Sequence, residues 1–292
     1  MAPDPNLTPT PPVVAAGLIA LFLLIAGIRA DLHLVAAARR NPGAWSVRLQ
    51  QLRRRPWQWR DGGLLLLVIL GGHTVFLGVY AALQRISPFS GAGQQAAVLL
   101  THTVLFHGAV ALFVLWRLLH RRLSWRRAFG NAPSPLRRRL AQGLTGYLAA
   151  LPPVAALAVA AHLLLSAAGY PVAPQDVVAL FAGSEEPWWL RGYLAVLAVG
   201  IAPLVEEVLF RGVALPVVAR RTSAGTAVCC VSVLFALVHF HIPSFAPLFG
   251  IGAALSVAYI ATGTLVVPIV MHGAFNAVSI VMVILLRETG LV

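Results

Sequence analysis

Three groups of polar residues interrupt the apolar C-terminal half of this 292-residue chain. They are Glu206, Glu207 and Arg211 in VEEVLFRG, His239 in FALVH, and His272 with Asn276 in HGAFN. A carboxylate and an imidazole that share one water molecule can deprotonate it. A second imidazole and an amide N–H can then stabilise the oxygen that becomes negative when a carbonyl is attacked. These are the parts that hydrolysis needs.

Helical spacing divides the first group into two roles. Glu207 and Arg211 are four residues apart with the acid first, which favours an intrahelical ion pair. Glu206 points about 100° away from Glu207 around the same helix and can face a cavity. We therefore predict that Glu206 is the general base, although three buried structural charges are the alternative.

The other two groups have the same two interpretations. His272 and Asn276 are four residues apart, so they project from one helical face and can reach one substrate together. They could instead form a hydrogen-bonded pair between helices. His239 supplies a second imidazole, although a lone histidine on an apolar helix is often a packing residue.

The same residues could bind a metal ion. Glu206, His239 and His272 form a Glu-plus-two-His set that can hold Zn²⁺ or another divalent ion, with water in the open position. The sequence has no HExxH motif and no cysteine at a ligand spacing. A metal-bound water and a metal-free glutamate mechanism both stay open.

Composition shows what must position these residues. With 59% apolar residues, 11% charged residues and a mean hydropathy of +0.83, the chain is not a soluble globular domain. Continuous apolar runs of about 18 to 20 residues favour membrane helices over spanning strands. We predict an all-α, polytopic membrane helix bundle with about eight transmembrane helices. The expected spans are 13–30, 62–83, 96–116, 143–167, 190–213, 225–240, 246–262 and 264–286.

The positive charge lies in the connections between these spans. All 22 basic residues are arginine, eight of them within 29–60 and eight within 117–139. This distribution is typical of cytoplasmic loops and predicts an external N-terminus. We expect the loops to contact anionic lipids, and we expect no nucleic-acid partner because no basic domain with interleaved aromatic residues is visible.

In order and separation, the three groups resemble the motifs EExxxR, FxxxH and HxxxN of the CAAX protease and bacteriocin-processing family, also called CPBP or Abi. The resemblance covers about the last 90 residues. It implies an intramembrane endopeptidase related to type II CAAX prenyl endopeptidases, in which Glu206 and His239 activate water. It also implies that His272 and Asn276 stabilise the oxyanion. The family is described both as metalloprotease and as glutamate protease.

The resemblance also implies a substrate and a division of the chain. The substrate would be a membrane protein or a lipidated peptide of the CAAX type. We expect a disordered tail at 1–12, transmembrane helices with arginine-rich loops at 13–189, and the catalytic core at 190–292. An alanine-rich chain without lysine is typical of a high-GC bacterium. We therefore expect a multi-pass protein of a bacterial plasma membrane.

Depth within the membrane is a difficulty for this interpretation. Glu206 lies ~27 Å below the outer start of its span, whereas His239 lies ~21 Å above the cytoplasmic start of the next one. Straight helices would keep them apart. We expect breaks at Pro203, Pro216 or Pro243, and convergence of the four catalytic side chains around a polar cavity.

Two other functions compete with proteolysis. Paired histidines across a bundle can hold haem, which would make the chain a membrane b-type cytochrome. The candidate ligands are His73, His102, His107 and His162. A non-proteolytic immunity, transport or scaffold protein would keep the fold without cleavage.

Overall fold

The structure is a computed structural model that describes residues 11–86, 103–130, 134–173 and 187–287, together with positions 98, 101, 175 and 181. Within these residues all regular secondary structure is helical, which confirms the predicted all-α class. Most of the predicted tail, 1–12, lies outside the described residues. The first helix, α1 (Pro11–Arg40), already includes its last two positions.

Among the described residues, six helices are long and apolar enough to cross a membrane and two apolar helices are shorter. The six are Pro11–Arg40, Trp59–Ala82, Leu136–Ala167, Trp188–Ala219, Ile242–Thr262 and Val266–Leu286; the two are Leu105–His120 and Ala224–Leu237. Each corresponds to one predicted span, and the polytopic membrane bundle is confirmed.

The helices follow one another in this order. They are α1, α2 (Ala44–Arg53), α3 (Trp59–Ile86), α4 (Gly108–His120), α5 (Trp125–Phe129), α6 (Leu136–Ala167), α7 (Trp188–Val196), α8 (Ala202–Glu207), α9 (Leu215–Ala219), α10 (Ala224–Leu237), α11 (Phe245–Thr262) and α12 (Val266–Arg287). Three π-helical segments are named π1 (Thr103–His107), π2 (Leu197–Ile201) and π3 (Val208–Ala214). π1 leads into α4, and π2 and π3 join α7, α8 and α9 into one span.

α6 is a central helix that packs against α1, α11 and α12. Glycines permit the close crossings: a Cβ on Gly27 of α1 would lie 2.5 Å from the Leu148 carbonyl oxygen of α6. A Cβ on Gly143 of α6 would lie 2.6 Å from Val270 of α12. Because small residues let membrane helices approach closely, α6 fixes the positions of α11 and α12.

The arginine-rich connections meet at one end of the bundle. We call it the arginine-rich end, and it comprises residues 41–60, 117–130, 134–139 and 219–223. Trp57 Nε1 donates a hydrogen bond to the Ala128 carbonyl at 3.1 Å, and Arg53 Nε donates to the Ala219 carbonyl at 2.8 Å. The connections that were expected to share one side of the membrane are therefore in contact.

Candidate active site

The span from α7 to α9 carries the two adjacent glutamates, and a π-helical segment lies on either side of them. π2 ends two residues before Pro203, and π3 ends two residues before Pro216. Proline lacks a backbone N–H and its ring clashes with the carbonyl four residues earlier, a conflict that a wider helical turn relieves. At these two expected break points the helix widens and continues.

One carbonyl of π2 holds Asn276 of α12. The Ala202 N–H donates to the Leu197 carbonyl, five residues earlier. In the same pattern, the Ala198 carbonyl would accept a hydrogen bond from the backbone N–H of residue 203. Residue 203 is proline, which has no backbone N–H. Asn276 Nδ2 donates to Ala198 O instead, at 2.7 Å. Since an amide nitrogen carries two N–H groups, Asn276 keeps a second donor for other use.

Glu207 and Arg211 form the ion pair that their spacing predicts. Arg211 Nη1 donates to Glu207 Oε1 at 2.8 Å, and both residues are fully buried. Arg211 Nη2 donates to the Gly252 carbonyl of α11 at 2.9 Å. The guanidinium carbon lies 4.7 Å from the centroid of the Phe235 ring of α10. The pair ties this span to α10 and α11 and lies behind the cavity described below.

Glu207 also orients His272. The same Oε1 atom accepts a hydrogen bond from His272 Nδ1 at 3.0 Å. A carboxylate paired with arginine is an acceptor, so the proton of this bond belongs to Nδ1. His272 Nε2 then lies 3.9 Å from Glu206 Oε2. Helical spacing could not reveal this contact because it joins two spans.

His239 follows the end of α10, in the turn before α11. Its Nδ1 lies 2.7 Å from the Phe235 carbonyl, which accepts hydrogen bonds, so Nδ1 is the donor. In the neutral ring Nε2 is then an acceptor. The Phe235 ring lies 4.9 Å from the His239 ring and 5.6 Å from the His272 ring, between centroids. The fully buried Phe235 ring therefore packs against both imidazoles.

A cavity of about 490 Å³ brings the predicted catalytic residues together: Glu206, His239, His272 and Asn276 all line it. Apolar side chains of α7, α11 and α12 make up much of the remaining wall. The Glu206 side chain is 16% exposed. Within the described part of the chain, no hydrogen-bond partner reaches its Oε2 atom. Because Oε2 is also buried, a water molecule in the cavity would contact the exposed part of the Glu206 side chain instead.

The expected separation by depth is not observed, since Glu206 and His239 line the same cavity. α10 has 14 residues and extends ~21 Å, less than the ~30 Å hydrocarbon core of a bilayer. His239 lies beyond its last turn, and a 3₁₀ turn at Ile242–Ser244, which contains Pro243, begins the return path. Irregular backbone at this depth is tolerated where it lines a cavity. Ser244 does line the cavity.

The expected metal ligands Glu206, His239 and His272 all line the cavity. In the part of the chain that the structure describes, no group of three His, Cys, Asp or Glu side chains is arranged to hold a metal ion. Glu206, His239 and His272 share the cavity but do not form a three-ligand site in this conformation. His272 Nδ1 is engaged by Glu207, which leaves Nε2 as its possible ligand atom.

The histidines considered for haem occupy different surroundings. His73 and His162 are exposed, and neither lines the cavity. His102 lies outside the described residues. His107 is buried, at 8% exposure, and lines the cavity from π1. The three motifs missed His107, and its signal in the sequence was a histidine within an apolar run.

Comparison with known proteins gives one match. Residues 187–278 match the family model described as Type II CAAX prenyl endopeptidase Rce1-like. No curated protein and no solved structure matches the chain. The matched region contains all six polar residues of the three motifs.

Proposed function

We propose a mechanism for a chain whose residues 187–278 place it in the CAAX protease family, a family of membrane endopeptidases. The chain hydrolyses a peptide bond with a water molecule that Glu206 and His239 activate. The observation that carries the proposal is the shared cavity of Glu206, His239, His272 and Asn276, whose side chains come from three separate apolar spans. Polar groups on membrane-spanning segments are costly, so those that are kept there are candidates for a functional site.

Attack of water is the first step. Glu206 takes one proton from the water as the water oxygen bonds to the carbonyl carbon of the substrate. His239 Nε2 accepts a hydrogen bond from the same water and aligns it. Two features support these roles: the Glu206 side chain lines the cavity, and the His239 Nδ1 bond leaves Nε2 as acceptor.

Collapse of the tetrahedral intermediate is the second step. His272 Nε2, when protonated, and the second N–H of Asn276 donate hydrogen bonds to the oxyanion. The carbon–nitrogen bond then breaks, and the proton held by Glu206 passes to the leaving nitrogen. One water is consumed, and a carboxylate and an amine are released. Glu207 and Arg211 are positioning residues because they orient His272 from behind the cavity.

The proposed mechanism uses no metal, and the possible ligands Glu206, His239 and His272 do not form a ligand group in this conformation. A metallo-type reaction would use those three side chains and bound Zn²⁺ or another divalent ion to lower the pKa of water. Chelation separates the two possibilities. Cleavage that persists after chelation supports the glutamate-type mechanism.

The substrate proposed is a membrane protein or a lipidated peptide of the CAAX type. The mostly apolar wall of the cavity fits an apolar chain beside the scissile bond. We place the protein in the plasma membrane of a bacterium, on the basis of its composition. A soluble peptide without an apolar segment should be a poor substrate.

Anionic lipid headgroups are the proposed partners of the arginine-rich end. Some of its arginines serve the fold, since Arg53, Arg121 and Arg139 donate to backbone carbonyls. Others, such as Arg122 and Arg138, are exposed and can meet lipid phosphates. Binding to vesicles with and without anionic lipid tests this partner.

The proposed function is tested with purified protein in lipid vesicles and a set of peptides with apolar or lipidated C-terminal segments. We expect cleavage by the wild type, detected by mass spectrometry. Glu206→Gln should lose at least about 1,000-fold in rate, because it keeps the shape but not the base. His162→Gln, at an exposed histidine outside the cavity, should cleave as the wild type does.

Each rival function predicts a different result. Cleavage by Glu206→Gln at the wild-type rate would overturn the mechanism. No cleavage of any peptide by the wild type would favour the non-proteolytic binding role. A Soret absorption band in the purified protein would favour the cytochrome.

A further inference from the structure

His107 lies in the active-site cavity although it belongs to no motif. It is the last residue of π1, which precedes the matched region 187–278. It is 8% exposed and lines the cavity together with Thr103 of the same segment. A buried imidazole in a catalytic cavity needs an explanation that the three motifs do not supply.

The surrounding helices hold π1 in place. The Tyr193 hydroxyl of α7 donates to Thr103 Oγ1 at 3.0 Å, which fastens π1 to the span that carries Glu206. On the other side, a Cβ on Gly72 of α3 would lie 3.4 Å from the Leu105 carbonyl. The π-helix is rare and is found frequently at functional sites. Here it directs its last side chain into the cavity.

Glu206 is the charged group that His107 faces. His107 and Glu206 line the same cavity, where the charge of the Glu206 carboxylate acts on the His107 imidazole. From α12, His272 Nε2 lies 3.9 Å from the same carboxylate. Among the described residues, Glu207 pairs with Arg211, whereas the ion-pair contact of Glu206 is the one with His272. Two imidazoles, from π1 and α12, therefore share the cavity with the Glu206 carboxylate.

We propose that His107 is a positioning residue of this active site, which holds the Glu206 carboxylate, directly or through one water molecule, in the orientation that activates the attacking water. The proposal rests on the proposed function. A glutamate side chain has three rotatable bonds, so a carboxylate in a cavity of this size needs a fixed neighbour to keep one orientation. A misplacement of about 1 Å can cost about 100-fold in rate.

The first test is kinetic. His107→Ala should lower kcat by about 10- to 100-fold and change KM by less than about threefold, because the substrate still binds. His107→Gln, which keeps a polar group, should retain more activity than His107→Ala. Added imidazole should restore part of the kcat of His107→Ala, since it can occupy the space beside Glu206. If His107 only packed the core, His107→Ala would not lower kcat selectively over KM, and imidazole would not restore kcat.

The matched controls are His73→Ala and His162→Ala, which change exposed histidines that do not line the cavity. Both should cleave as the wild type does, with no effect of imidazole. The proposal is overturned if His107→Ala keeps the wild-type kcat while Glu206→Gln is inactive. It is also overturned if imidazole restores no activity to His107→Ala and His107→Gln is no more active than His107→Ala.

A second measurement does not depend on cleavage. An apolar carbodiimide labels membrane-buried carboxyl groups, and mass spectrometry reports the label on Glu206. We expect the labelling rate of Glu206 to change at least about threefold in His107→Ala and to stay constant in His162→Ala. If no protein form cleaves any peptide but the Glu206 labelling rate changes, the proposed function fails and the His107–Glu206 interaction stands. An unchanged labelling rate overturns the interaction.

Discussion

Replacement of Arg211 by methionine tests whether the buried charges behind the cavity act as one unit. The change removes a cation of 0% exposure and leaves Glu207, also at 0% exposure, without its 2.8 Å partner. The Gly252 carbonyl loses its donor as well. Loss of one partner from a buried ion pair costs about 3 to 5 kcal/mol. We expect the free energy of unfolding to fall by that amount.

The double variant Arg211→Met/Glu207→Gln tests whether the unpaired charge of Glu207 causes the loss of stability in Arg211→Met. It removes both charges, and the amide oxygen at position 207 can still accept the hydrogen bond from His272 Nδ1. We expect it to be more stable than Arg211→Met alone by at least about 2 kcal/mol, because no uncompensated charge remains buried. Reversible unfolding in mixed micelles, followed by tryptophan fluorescence, measures both variants in a double-mutant cycle.

Arg138→Met is the matched control, because Arg138 is exposed on α6 and should shift the unfolding free energy by less than about 0.5 kcal/mol. The reasoning is refuted if the costs of Arg211→Met and Glu207→Gln simply add in the double variant. Additive costs would mean that the two side chains stabilise the bundle independently. A loss in Arg211→Met no larger than that of the control would refute it equally.

Three further predictions concern the contact between π2 and α12. Asn276→Ala should lower kcat by about 100- to 1,000-fold in the peptide assay, as expected for an oxyanion donor, and an unchanged kcat would contradict that role. Pro203→Ala should lower kcat by about tenfold without loss of unfolding free energy, because a new backbone N–H can compete with Asn276 for the Ala198 carbonyl. Gly273→Ala should destabilise the protein by about 1 to 3 kcal/mol in the unfolding assay, since the added Cβ would lie 2.6 Å from the Val199 carbonyl oxygen. Wild-type stability of this variant would contradict the prediction, because it would show that α12 can move freely.

The features that sequence predicted well are local ones. Apolar runs identified the six helices of the described residues that are long enough to cross a membrane, because the hydrocarbon core requires a minimum apolar length, and they also identified the two shorter apolar helices. The i,i+4 spacing of Glu207 and Arg211 identified their ion pair. Ends of helices were less predictable: the first predicted span stopped near residue 30, whereas α1 continues to Arg40 beyond its apolar part. Interfacial arginines can extend a helix past the bilayer.

The features that sequence missed depend on contacts between spans. Neither the bond of His272 to Glu207 nor that of Asn276 to Ala198 can be inferred from spacing within one helix. The effect of Pro203 was expected as a break, yet the helix widens into π2 and continues. Whether proline breaks or widens a membrane helix depends on which neighbour satisfies the freed carbonyl, and that neighbour is remote in sequence.

Departures from regular α-helix contribute to the cavity from several sides. π1 contributes Thr103, π2 contributes Ala198, and the 3₁₀ turn contributes Ser244. Backbone groups freed inside a membrane need partners, so a side chain that satisfies one of them also helps to hold the site open. Asn276 has both tasks if it also binds the oxyanion, and Asn276→Ala would remove them together. The double variant Pro203→Ala/Asn276→Ala separates them, because the new N–H at position 203 can satisfy the Ala198 carbonyl in place of Asn276: a purely structural role predicts that kcat is restored, whereas a role on the oxyanion predicts that the loss seen in Asn276→Ala remains.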